Sequence, residues 1–67
     1  MDFLEKSIKR IEHWISHNNQ HLADYENFAR QLEEAGNQES AKYIRDTREL
    51  NLKINECLNK ALKELEG

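Results

Sequence analysis

The chain has 67 residues, one cysteine, no proline, two glycines and a net charge of −3. A single domain, 1–67, of this size draws only roughly 3–5 kcal/mol from its own core, and the lone Cys57 closes no internal disulfide, so a metal or a partner chain must add to it. A pI near 5.5 with no basic stripe excludes nucleic acid as a partner.

The first residues, Met1 to Lys6, are acidic and amphipathic, unlike a signal peptide. Asp2 followed by Glu5 predicts a capping box and a helix from Phe3. Apolar positions then step by four and three through Leu4, Ile8, Ile11, Ile15, Asn18, Leu22, Tyr25, Ala29 and Leu32, a heptad seam. Trp14, His21, Phe28 and Ala35 form a second row beside it, so the buried face is broad enough for two neighbours, as in a four-helix bundle. The longest uncharged run, Trp14 to Ala23, is polar and far too short to span a bilayer.

The first helix, about 3–35, stops at Gly36-Asn37, where glycine closes one helix and asparagine caps the next. Glu39 falls in the first turn of the second helix, about 38–66, where negative charge suits the helix dipole. The apolar set there is Tyr43, Ile44, Leu50, Ile54, Cys57, Leu58, Ala61, Leu62 and Leu65, with Glu49–Lys53 and Glu56–Lys60 as i,i+4 pairs. So short a connection makes the helices antiparallel neighbours. The expected fold is all-α, an antiparallel two-helix hairpin that dimerises into a four-helix bundle, because one hairpin leaves part of each stripe wet.

Folding about the turn sets Asn18 near Asn55, with Asn51 one turn away. It brings His17 level with Glu56 and Cys57, His13 with Lys60 and His21 with Leu52. His13, His17 and His21, at i, i+4 and i+8, carry the one chemically pointed pattern. Two imidazoles one turn apart can hold a transition metal, whereas the outer pair stand about 12 Å apart along the axis. The workable pairs are His13 with His17 or His17 with His21, with Glu56, Cys57 or a symmetry mate supplying a third ligand. Such donors suit zinc, nickel, cobalt or copper rather than calcium or magnesium.

Plainer roles stand beside these. A histidine row can simply fill a polar layer, with His21 the one expected to be buried and hydrogen-bonded. It can also sense pH. Cys57 reads as a small buried hydrophobe, Trp14, Tyr25, Phe28 and Tyr43 as core or interface aromatics, and Asn18, Asn51 and Asn55 as setters of register and oligomer state. Glu12, Glu26, Glu33 and Glu34 form no E-x-x-H di-iron motif. No nucleophile–base pair or phosphate-cradling loop points to an enzyme. A free thiol, no export signal and no membrane anchor predict a cytoplasmic protein.

The run from Ile11 to His21 contains H-W-x-x-H-N-x-x-H and resembles a small helical-hairpin domain family of uncharacterised function from archaea and anaerobic bacteria. That family's F/Y-x-x-W-A stretch is matched by Tyr25 to Ala29 with Phe28 in place of Trp, its E-A-G turn by Glu34-Ala35-Gly36, and its final A-N-E-x-x-x-K-A-L by Ile54 to Leu62. Some members are fused to small nickel-binding accessory proteins of carbon monoxide dehydrogenase. The resemblance therefore implies metal handling, nickel or zinc, through His13, His17 and His21, with Cys57 outside the pattern. A fainter likeness joins Arg48 to Asn51 with the helical hairpins that dephosphorylate sporulation response regulators, and no residue carries over from it. Two functional expectations follow: a homodimer that sequesters or delivers a transition metal, or a metal-free module that docks a protein partner.

Overall fold

A computed structural model describes residues 2–67. The chain forms two helices, α1 (Phe3–Glu34) and α2 (Gln38–Glu66), packed side by side as an all-α hairpin 51 Å long. Both helices start and stop for local reasons. Asp2 is extended and its carboxylate accepts the Glu5 N–H at 2.8 Å, which satisfies one of the orphan donors of the first turn. At the far end Gly36 adopts φ 86°, the left-handed geometry open to glycine. There the Asn37 N–H donates to the Leu32 carbonyl at 2.7 Å and the Gly36 N–H to the Glu33 carbonyl at 3.0 Å, the Schellman closure. Asn37 does sit at the start of α2, but its side chain makes no capping hydrogen bond. With ψ at 66° its backbone is not in the extended form that aims a cap side chain at the first turn.

The seam between the helices is thin. On α1 it runs through Ile8, Ile11, Ile15, Asn18, Leu22, Tyr25, Ala29 and Leu32, as the heptad predicts, with only Leu4 left exposed. On α2 the seam is not the whole apolar set. Ile44, Leu58 and Leu62 face α1 together with Ala41, Arg45, Arg48, Asn51, Leu52 and Asn55. Tyr43, Leu50, Ile54, Cys57, Ala61 and Leu65 stay exposed. Near the turn, Ala29 and Ala41 are the two buried apolar residues among those described, and their small side chains let the backbones approach closely. No large side chain is fully buried among the described residues.

Register is fixed by polar contacts. The Asn18 amide donates to Asn55 Oδ1 at 3.0 Å, and the Asn55 amide donates to Asn19 Oδ1 at 3.0 Å. The Asn51 amide reaches the Asn18 carbonyl at 3.5 Å, and the Asn59 amide returns to the Asn55 carbonyl at 3.0 Å. Closer to the turn Arg45 bridges the helices, with Glu33 at 2.6 Å and Glu26 at 3.5 Å. On α2 itself the ion pairs are Lys42–Asp46 and Arg48–Glu49 rather than Glu49–Lys53 or Glu56–Lys60, among the described residues. Exposed pairs of this kind are worth too little to dictate which partner a long side chain takes.

Candidate functional site

Which way each side chain points follows from the seam. Trp14, His21 and Phe28 each precede a seam residue of α1, namely Ile15, Leu22 and Ala29. Leu50, Ile54 and Ala61 likewise precede Asn51, Asn55 and Leu62 on α2. One residue turns a helix by about 100°. In two antiparallel right-handed helices, the same rotation away from a shared seam leads to the same side. The two rows therefore lie on one broad face of the hairpin. Residues that follow the seam, such as Glu12, Ser16, Asn19, Glu56 and Asn59, lie on the opposite face. A shallow groove there, about 500 Å³, is lined partly by Glu12, Ser16, Asn19, Gln20 and Asn59.

The first face is apolar and wet. Leu50 is 60% exposed and Ile54 51%, while Trp14 and Phe28 are each about half-exposed. Leu50, Lys53, Ile54, Cys57 and Leu58 line an open apolar groove of about 490 Å³ on α2. A second groove of about 280 Å³ gathers Phe3, Ile11 and Trp14 with the stems of Lys6 and Arg10 on α1. Thr47, on the same face, donates its hydroxyl to the Tyr43 carbonyl at 3.0 Å, so its polarity is spent inside the helix. Cys57 is exposed there as a free thiol rather than buried as a small hydrophobe.

The histidines fall on and beside this face. His21 is half-buried between the rows, and its ring stacks on Tyr25 at 6.0 Å between centroids. His17 is exposed one turn earlier, 4.7 Å from His21, and His13 lies 5.9 Å from His17 on the outer edge. His17 and His21 are thus the closer pair. Glu56 and Cys57 are level with His17, but Glu56 lies on the opposite face, and Cys57 points out from the far edge of α2. Among the described residues no three of His, Cys, Asp and Glu gather into a group that could hold a metal ion. One hairpin by itself offers a metal two imidazoles and no third ligand from α2.

Two polar features escaped the sequence reading. Asn19 and Asn59 join the asparagine layer from positions beside the heptad, where nothing in the periodicity singles them out. The Arg45–Glu26–Glu33 cluster spans the two helices, and spacing along one helix gives no sign of it. The Arg45 guanidinium hydrogen-bonds Glu33 and holds its carboxyl below the usual carboxylate range, partial burial opposing. The same contact, with Glu26 second, pushes Arg45 further up. Arg48 lies half-buried in the seam, and its Nε has no hydrogen-bond partner.

No helix among the described residues is long and apolar enough to cross a membrane. No curated protein and no solved structure matches the chain. Residues 8–65, which take in the histidine row, the turn and nearly all of α2, match the model of a domain of unknown function, DUF8180, and the chain belongs to that family.

Proposed function

We propose that the protein is a self-associating helical module, in which the apolar faces of two hairpins close on one another to make a four-helix bundle. The observation that carries this reading is surface area. A compact monomer of 8.0 kDa exposes about 4,450 Å² by the usual size scaling, and this chain exposes 5250 Å². The excess, about 800 Å², is what one partner contributes to a standard interface. The module is non-catalytic, and its free thiol suits a reducing compartment such as the cytoplasm.

Sedimentation equilibrium tests this. The protein should sediment as a dimer, Ile54→Lys as a monomer, and Glu56→Lys, on the opposite face, as a dimer still. A wild-type chain that stays monomeric at high concentration would sink the proposal. A heterologous helix that displaces the second copy would favour the docking of another protein.

A second reading has its own support. His17 and His21, with ring centroids 4.7 Å apart, are spaced to share one transition metal ion. Zinc and nickel are the ions that such donors suit. The likeness of Ile11 to His21 to hairpin domains joined to nickel-binding accessory proteins leans the same way. On this reading the module sequesters or delivers a metal.

A further inference from the structure

We infer that two copies pair antiparallel about a two-fold axis passing over α1 at the level of His21, and that the two His21 imidazoles meeting there, with one His17, form a transition-metal site that neither chain has alone. This rests on the self-association proposed above. The argument begins with register. Asn18 hydrogen-bonds Asn55, so three residues further along α1 and three back along α2 set His21 level with Leu52.

The exposed face is symmetric about that level. On α1, Trp14 and Phe28 stand seven residues to either side of His21. On α2, Leu50 and Ile54 stand two residues to either side of Leu52, Thr47 and Cys57 five, and Tyr43 and Ala61 nine. Along α2 these six alternate by four and three, the spacing of a coiled-coil seam. A two-fold axis at this height, lying between the stacked layers and perpendicular to the helices, sets each helix antiparallel on its own copy. Leu50 then meets the partner's Ile54, Thr47 meets the partner's Cys57, and Trp14 lies toward the partner's Phe28. Both stripes satisfy one axis, which a self-complementary two-fold interface requires and a chance apolar face does not.

His21 points from the middle of that face, and His17 is its neighbour at 4.7 Å. The axis sets the two His21 rings against each other, while the two His17 stand about 12 Å apart on opposite sides of it, too far to share one ion. Both His21 and either His17 then offer an ion three imidazoles, with water as the fourth ligand, whereas among the described residues a single chain gathers no three ligands. The neutral rings would bind zinc or nickel through their free nitrogens, with no bond made or broken in the protein.

The test is zinc chloride titrated into the protein by calorimetry, followed by sedimentation, with Thr47→Cys treated in parallel with a short thiol cross-linker. The expected result is one zinc per two chains, binding lost in His21→Ala while that variant still sediments as a dimer, and a cross-link joining the introduced thiol to Cys57 of the other chain. The monomeric Ile54→Lys variant should bind zinc at least tenfold more weakly. One zinc per chain, equal affinity in Ile54→Lys, no binding by the dimer, or no link to Cys57 in the dimer would each overturn the inference and leave self-association standing. A wild-type monomer would instead overturn the reading beneath it.

Discussion

Asn55 shows how much of the hairpin's specificity rests on single polar groups. It is nearly buried, at 6% exposure, and uses both ends of its amide, accepting from Asn18 and donating to Asn19. A leucine here would add apolar burial, but it would fit several heights equally well. The amide pairs fit one height only, because a slip along the seam leaves buried donors unpaired. Asn55→Ala should cost about 1–3 kcal/mol, as Asn18 and Asn19 lose their partner, measured by urea denaturation at fixed protein concentration. Replacing Asn18 and Asn55 together by leucine should cost less than Asn55→Ala alone. A larger loss in the double variant would mean that the layer contributes stability and not only register. The sequence exposed this layer in part. Asn18, Asn51 and Asn55 interrupt an aliphatic rhythm and so draw notice, whereas Asn19 and Asn59 look like ordinary surface residues until the facing helix is in place.

At the scale of the helices, periodicity identifies which residues are apolar together but not which neighbour they meet. The stripe of α1 divides readily, because its heptad seam and its Trp14 row are separate in the sequence. On α2 the apolar residues form one set by eye, and only contact with α1 splits Ile44, Leu58 and Leu62 from Leu50, Ile54 and Cys57. The helix ends were legible because their causes are local: Asp2 caps, and Gly36 turns. The Arg45 bridge was not, since it joins residues from different helices. That bridge makes the hairpin sensitive to acid. The Glu33 carboxyl titrates below its ordinary value when folded, so its contribution is complete above the unfolded value and fades as pH falls through the folded one. Glu33→Gln should therefore lower the melting temperature at neutral pH and make little difference once the carboxylate is protonated in both states. Solvent screens this half-exposed pair, so the shift should be small and should shrink further in high salt. An equal loss at both pH values would assign the residue's effect to packing instead of charge.

For the whole molecule, thinness is the governing fact. A layer two helices wide and 51 Å long has no large fully buried side chain among its described residues, and its better apolar residues, Trp14, Phe28, Leu50 and Ile54, sit outside the seam. Hydrophobic burial is the main favourable term in folding. If two copies pair as proposed, pairing adds to the stability of a hairpin that keeps this much of it exposed. The melting temperature then depends on concentration. A tenfold dilution costs 1.4 kcal/mol of apparent stability, or roughly 5 °C for a folding unit of two such chains. Ile54→Lys should melt lower and at a temperature that dilution does not move, because one lysine on the face uncouples the copies without touching the seam. Thermal unfolding followed by circular dichroism at several concentrations separates the cases directly. A wild-type melting temperature unmoved by dilution would mean that the Asn18–Asn55 layer and the thin aliphatic seam hold the hairpin unaided, and that the apolar face has some other occupant.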